Sequence, residues 1–393
     1  MDSRSLIVKH VVIDISSLVN EFRRKRPPHG IPRVTLAYLQ YYLNNMQALV
    51  RLKKRVVIFP KDISKEISLL LLSWDFERLS ELVRLVIKGL LSSRRALPSA
   101  NCFLLKTDHG GFKNPNYVKA LNAKQLKLLV VVHDLIPILH PEYCTQSNTL
   151  KFTQSMLTIL EHAKGVVAVS DSTRNDFTQY VLSTKQLCLP TITATLAPGL
   201  SPELPVGNRL INEPYFVTIS TIGARKNHLL LLQIWRRLVK KLGTKTPRLV
   251  IVGKRSKTCW NTLSMLDHCT QLRGFITETR GSDEEVANYL HHARALLFPT
   301  FTEGYGLPLI EALSVKVPVI ASDLPVFREI AGEIPDFLDP LDGKGWMEYI
   351  ENYAREDSAL RLAQIKRMEG FRMPKWHDHF AKVDAFMQEL EIL

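Results

Sequence analysis

The sequence predicts an α/β chain of two doubly wound domains, and three observations carry that expectation. Strand-length apolar runs alternate with stretches of helical periodicity along most of the 393 residues. The runs KLLVVVHD (127–134) and GVVAVS (165–170) are continuously apolar, as strands covered on both faces of a parallel sheet are. The alternation stops at 197–214, APGLSPELPVGNRLINEP, where four prolines and two glycines without periodicity mark a linker, and then restarts.

The elements follow in order. Residues 6–16 read as a strand, 30–43 as a helix and 55–60 as a strand stopped by Pro60. Residues 65–93 carry a long amphipathic pattern, and the strands at 127–134 and 165–170 come next, the second followed by Asp171 or Ser172 as a helix cap. Past the linker, strands are predicted at 215–220, 248–253, 272–276, 295–300 and 317–322. Helices are predicted between them at 226–242, near 257–271, at 282–293 and from about 306 to 314. The boundaries are an N-terminal domain over 1–205, a C-terminal domain over 206–372 and a closing segment over 373–393. Ligands of doubly wound sheets bind at the carboxyl ends of the strands, which makes the cleft between the domains the expected site.

Composition narrows the function. With 46% hydrophobic and 23% charged residues the chain is ordinary globular material. No apolar run approaches the roughly 18 residues of a membrane span, and the N-terminal stretch has none long enough for a signal peptide. The five cysteines are scattered without CxxC spacing, which fits reduced thiols rather than a zinc cluster. The net charge of +14 is lopsided: residues 1–127 hold 23 Lys and Arg against 9 Asp and Glu. The excess clusters at Arg23–Arg26, at 51–55 and at Arg94-Arg95, a basic face suited to phosphates on nucleic acid or on an anionic membrane, or simply to water.

The stretch TEGYGLPLIEAL (302–313) concentrates the candidate chemistry. Glu303 sits in a strand-to-helix loop at a strand's carboxyl end, and Glu311 lies in the following helix, roughly 7 Å beyond Gly306 at the helical rise. Gly304 and Gly306 permit close backbone approach. The amides of Tyr305, Gly306 and Leu307 lie at a helix N-terminus that suits a phosphate. A carboxylate can accept both hydrogen bonds of a vicinal diol, as on a ribose. A glycine loop with one solvated and one helix-face glutamate has the same pattern. Arg225 and Lys226 follow a strand and precede a helix, where cations can neutralise a diphosphate, or a solvated basic pair can stand. His133 ends the strand KLLVVVHD, with Asp134 beside it to hold the loop or orient the ring; Gly30 lies in the turn placed after the first strand, and Arg33 is a further candidate for phosphate or acceptor contact. No Asp-x-Asp pair occurs, and the histidine and cysteine spacings fit no zinc pattern, so no metal is expected.

Several segments together resemble the retaining glycosyltransferases of the family-4 type, which have the GT-B fold. Glu303-Gly-Tyr-Gly-Leu-Pro-Leu-Ile-Glu311 matches the Glu-x7-Glu signature of that family. STIGARKNHLLLLQIWRRL (220–238) is similar to its donor-phosphate segment, VKVPVIASDLPVFREIAG (315–332) to its continuation, and HGIPRV, VVHDLIPILHPEYC and GVVAVSDSTRNDF to its N-domain segments. The resemblance covers most of the chain apart from roughly 60–100. It implies Glu311 at the nucleotide ribose, Glu303 at the donor sugar near the reacting centre, and the 304–307 amides at sugar hydroxyls and phosphate. It further implies His133 near the donor sugar, Gly30 near the diphosphate, and Arg225 with Lys226 on the leaving group. Two departures stand out: Thr221 occupies the place of the commoner arginine five residues before the lysine, and His29-Gly30 replaces the usual glycine pair.

The activity so implied is metal-independent transfer of a hexose, mannose from GDP-mannose being the best match, with no cofactor and with retention of configuration. The acceptor is a lipid-linked oligosaccharide or polysaccharide in surface-glycan assembly, as in the bacterial mannosyltransferases the segments most resemble. The expected location is cytoplasmic, peripheral on the inner membrane through the basic N-domain, without nucleic acid, and the final segment packs as a helix on that domain. The stretch 68–95 reads either as a core-packing helix pair or as a membrane-surface element. Two other functions fit part of the pattern: a nucleotide-sugar epimerase or hydrolase on the same fold, and a non-catalytic nucleic-acid binder.

Overall fold

The computed structural model describes residues 10–52, 55–93, 96, 98, 102–199 and 206–392. They fall into two units, one of residues 1–138, 146–196 and 375–393, the other of residues 139–145 and 197–374.

The first unit opens with β1 (Val11–Asp14), α1 (Ser16–Arg23), α2 (Ile31–Tyr42), β2 (Met46–Leu52), β3 (Arg55–Ile58), α3 (Lys61–Ser73) and α4 (Leu79–Ser92). It continues through β4 (Phe103–Lys106), α5 (Pro115–Ala123), β5 (Lys127–Val132), a turn of helix α6 (Ile136–Leu139), α7 (Gln146–His162), β6 (Ala163–Ala168), α8 (Asp171–Ser183) and β7 (Thr191–Thr193). The seven strands lie in the order β3-β2-β1-β4-β5-β6-β7. All pairings are parallel except β2 with β3, which form an antiparallel hairpin. The core packs Leu104, Leu128, Val130 and Val132 of the sheet against Tyr117, Met156, Ile159 and Phe177 of the helices.

The second unit holds β8 (Tyr215–Ile219), α9 (His228–Leu242), β9 (Arg248–Val252), α10 (Trp260–His268), β10 (Ile276–Thr279), α11 (Asp283–His291) and β11 (Leu296–Phe298). It closes with α12 (Leu307–Ser314), β12 (Val319–Ser322), α13 (Pro325–Ala331), β13 (Asp336–Leu338), α14 (Gly343–Ala354) and α15 (Ala359–Met368). Its all-parallel sheet has the order β10-β9-β8-β11-β12-β13. In α9, Leu231, Leu232, Trp235 and Leu238 face the core while Arg236, Arg237, Lys240 and Lys241 face outward, the stripe an amphipathic helix needs. The chain then returns to the first unit as α16 (Trp376–Ile392).

Several sequence expectations are corrected. The first strand begins at Val11; residues 6–9, like Lys53, Lys54, Arg94 and Arg95 of the basic clusters, lie outside the described residues. Helix α1 separates β1 from the turn at Gly30. The 65–93 pattern is two helices, in keeping with the helix-pair reading of 68–95, because Trp74 adopts a left-handed conformation (φ 46°) that closes α3. The cap of α8 is Ser170, whose hydroxyl accepts from the Thr173 amide at 2.9 Å, rather than Asp171 or Ser172. LRGFI is not a strand: a 3-10 turn spans Thr270–Leu272, Leu272 drops into the core, and the edge strand is Ile276–Thr279. The later half of the 197–214 linker is pinned, with the Gly207 and Asn208 carbonyls accepting from His292 and from Asn288 of α11.

Candidate functional site

A doubly wound sheet binds its ligand where the strand order reverses, because the two loops there diverge to opposite faces and leave a crevice. In the second unit that point lies between β8 and β11. The loop after β8 carries Arg225 and Lys226, and the loop after β11 carries Glu303.

These three side chains meet. Arg225 Nη1 lies 2.7 Å from Glu303 Oε1, and Lys226 Nζ donates to the same oxygen. Thr300 Oγ1 donates to it as well, at 3.0 Å. Arg225 is fixed further through Nη1 to the Thr302 carbonyl (2.8 Å), and the Phe301 amide donates back to the Arg225 carbonyl (2.8 Å). The Lys226 ammonium also sits 5.1 Å from the Phe298 ring centroid. Burial opposes a charge on Glu303, yet the fields of Arg225 and Lys226 outweigh it and hold its carboxyl at about 2.

The glycine turn builds the next contact surface. Gly306 caps α12 with φ 122°, and a Cβ there would stand 2.8 Å from the Phe327 ring. Pro308 sits in the first turn of α12, where no amide is needed. Gly304 and Tyr305 are buried and Leu307 is half-buried. Glu311, one turn into the helix, is 4% exposed, and its Oε1 accepts from the Gly199 amide at 3.2 Å. Phe301 stacks on Tyr143 of the 139–145 segment, with ring centroids 5.7 Å apart and planes 2° from parallel.

The remaining predicted residues belong to the first unit. His133 follows β5, its Nε2 2.8 Å from the Thr107 carbonyl, and burial lowers its pKa. Asp134 accepts from the Ile136 amide at 3.1 Å and so starts α6. Gly30 caps α2 with φ 61° on an exposed turn, and Arg33 holds that turn by donating from Nε to the Pro28 carbonyl (2.8 Å).

Two residues escaped the sequence reading. Thr300, which steadies Glu303, was readable only as the end of an apolar run. His228 opens α9 with Nε2 3.3 Å from Ser220 Oγ; burial holds its pKa at about 3, so the ring is neutral. Among the described residues no group of three or more His, Cys, Asp or Glu is placed to hold a metal ion, and no helix is long and apolar enough to cross a membrane.

Comparison with known proteins bears directly on this crevice. Residues 213–354, which contain Arg225, Lys226, Glu303 and Glu311, match the sequence profile described as Glycosyl transferases group 1. That stretch is a glycosyl transferases group 1 domain. The chain is 32% identical over 222 residues to the serotype-specific mannosyltransferase WbdA of Escherichia coli, a match covering 52% of this chain and only 27% of WbdA. It is 25% identical to the O-antigen chain mannosyltransferase B of Escherichia coli, over 68% of this chain and 71% of that protein. Among solved structures, HepE of Anabaena in complex with UDP superposes with a TM-score of 0.65 at 13% identity, over 97% of this chain and 100% of that one. Sucrose-phosphate synthase from Thermosynechococcus elongatus gives a TM-score of 0.65 at 14% identity, over 98% and 99%. At these identities the structures speak for the fold, which is GT-B. The group 1 domain is thus one of two Rossmann-like halves, and its crevice lies at the switch point of its own sheet.

Proposed function

We propose that the chain is a retaining, metal-independent glycosyltransferase that moves a hexose from a nucleotide sugar to a glycan acceptor. The observation that supports this most is the half-buried Arg225–Lys226–Glu303 cluster at the switch point of the group 1 domain. As the glycosidic bond to the diphosphate breaks, negative charge grows on the leaving oxygen. Arg225, Lys226 and the amides at the start of α12 offset that charge from fixed positions, so little reorganisation is needed at the moment of reaction. Glu303 keeps both cations in place and presents its carboxylate to the sugar. Glu311, buried one helical turn further, takes the ribose hydroxyls. His133 orients the sugar from the N-terminal half, and the acceptor hydroxyl attacks the anomeric carbon from the face the diphosphate leaves.

Mannose is the proposed sugar and GDP-mannose the donor, on the strength of the mannosyltransferases WbdA and O-antigen chain mannosyltransferase B. By the same likeness the acceptor is a lipid-linked oligosaccharide or polysaccharide of the cell surface. A membrane location draws support from α4, where exposed Val83, Ile87 and Leu91 alternate with exposed Arg84 and Lys88 along one face.

A thermal-shift panel tests the reading. GDP-mannose is expected to raise the melting temperature of the wild type, with and without EDTA, and Glu311→Ala is expected to lose the shift. Saturating ligand at 100 times Kd stabilises by about 2.7 kcal/mol, well within detection. A wild type that responds to no nucleotide sugar, UDP-glucose and UDP-N-acetylglucosamine included, refutes the proposal. A response abolished by EDTA refutes metal independence.

A further inference from the structure

Glu303 has two carboxylate oxygens, and the group 1 domain treats them differently. Oε1 accepts from Lys226 Nζ and from Thr300 Oγ1 (3.0 Å), and Arg225 Nη1 stands 2.7 Å from it. A carboxylate oxygen has about two lone-pair sites, so these donors fill Oε1. Oε2 takes no hydrogen bond among the described residues, and it is not one of the buried atoms that lack a partner. One oxygen is thus engaged inside the protein and the other stays reachable, although the side chain as a whole is only 8% exposed.

Thr300 is the neutral member of the three donors, and its single proton has a choice of acceptors. The residue lies just past β11 and is completely buried. Its Oγ1 is 3.0 Å from Glu303 Oε1, 3.1 Å from the Arg225 carbonyl and 3.2 Å from the Thr302 carbonyl. The Arg225 carbonyl already accepts from the Phe301 amide (2.8 Å), and the Thr302 carbonyl from Arg225 Nη1 (2.8 Å). The carboxylate is the nearest of the three and the only charged one, and hydrogen bonds to charged groups are about twice as strong as neutral ones. The proton therefore goes to Glu303.

The two cations cannot hold Oε1 through a reaction in the same way. Arg225 and Lys226 sit on long side chains, and a bound diphosphate competes with Glu303 for them. Thr300 is β-branched, stiff at χ1 and enclosed, and a donor has no call on its proton. When the cations turn to phosphate, its hydroxyl is the donor that remains on Oε1.

We propose that Thr300 is a positioning residue: its hydroxyl proton keeps Glu303 Oε1 turned inward, so that Oε2 is the oxygen presented to the hexose of the donor. The role at the sugar rests on the glycosyltransferase reading; the hydrogen bond itself does not.

Thr300→Val, which replaces the hydroxyl by a methyl group, and Thr300→Ser, which keeps it, test this. GDP release from GDP-mannose is followed with methyl α-D-mannopyranoside as acceptor. Thr300→Val is expected to lower kcat about tenfold, the loss of one hydrogen bond to a charged group. The donor KM is expected to stay within about twofold of wild type, because both cations remain. Thr300→Ser is expected to stay within about threefold of wild type in kcat. Wild-type kcat in Thr300→Val, equal loss of kcat and donor affinity, or a Ser variant as impaired as the Val variant overturns the positioning role. The hydrogen bond also has a readout that needs no turnover. Thr300→Val is expected to lower the melting temperature of the wild type, and to lower that of Glu303→Ala much less, because residues in contact do not act additively. Equal decrements in the two backgrounds overturn the contact. If Thr300→Val does not fold, Thr300→Ala takes its place with the same expectations. A wild type that turns over no nucleotide sugar refutes the glycosyltransferase reading instead, and the melting comparison then decides the hydrogen bond alone.

Discussion

Glu303 carries a charge that burial alone would have removed, and its pH behaviour follows from that. Its carboxyl drops from an ordinary 4.5 to about 2 in the folded chain. A depressed carboxyl stabilises the fold fully above 4.5, and the contribution fades as pH falls toward 2. The difference amounts to on the order of 3 kcal/mol at neutral pH. Glu303→Gln is therefore expected to melt well below wild type at pH 7, with the gap narrowing between pH 4.5 and the lowest pH at which both remain folded. Differential scanning calorimetry across that range checks it, and a gap independent of pH would contradict the ion-paired geometry. At this scale the sequence was legible where neighbours along the chain share a loop: Glu303, Gly306 and Glu311 could be read directly. The buried ion pair of Asp14 with Lys106 could not, because the two meet only through the parallel pairing of Val11 with Phe103, and a sequence does not display register between distant strands.

Element by element, legibility tracked burial. The strands at 127–132 and 163–168, covered on both faces, announced themselves as apolar runs. The edge strand Ile276–Thr279 has one apolar residue in four, and the more apolar LRGFI beside it drew the assignment away. The β2–β3 hairpin was hidden because Arg51 and Arg55 interrupt the apolar pattern where the two strands pair. Helix α12 offers a test of element geometry. Gly306→Ala adds a Cβ at φ 122° that stands 2.8 Å from Phe327, so it combines backbone strain with a clash, costing about 1–3 kcal/mol. A melting temperature several degrees lower and a weakened nucleotide-sugar response are expected. Gly30→Ala is expected to cost less, because its φ of 61° is strained but nothing lies within 4 Å of the added atom. Helix α4 offers a second test, since Val83, Ile87 and Leu91 are exposed on one stripe. Wild-type protein is expected to sediment with vesicles containing phosphatidylglycerol, more at low salt than at high. Ile87→Asp with Leu91→Asp is expected to abolish that while leaving the melting temperature near wild type, because both side chains are exposed.

Across the whole molecule, the last residues of the chain complete the first unit rather than the group 1 domain that precedes them. On α16, Phe380, Val383, Phe386, Met387 and Leu390 are buried. Gly165 of β6 makes room for the helix, since a Cβ there would come within 2.8 Å of both Phe386 and Leu390. Asp384 accepts from the phenols of Tyr41 and Tyr42 at 2.7 Å each, and the His379 ring meets Tyr38 at 2.9 Å and the Ala194 carbonyl at 3.1 Å. Burying those five apolar side chains contributes on the order of 10 kcal/mol, as large as the net stability of a whole domain. Removing residues 375–393 is therefore expected to unfold or loosen the first unit while the group 1 domain keeps its sheet. Hydrogen exchange followed by mass spectrometry separates the two outcomes. Peptides from β5 and β6 should lose protection by orders of magnitude, and peptides from β8, β9 and β11 should keep theirs. Equal loss in both sets would mean that α16 supports the group 1 domain too. Loss in neither would mean that its buried face contributes far less than its area implies.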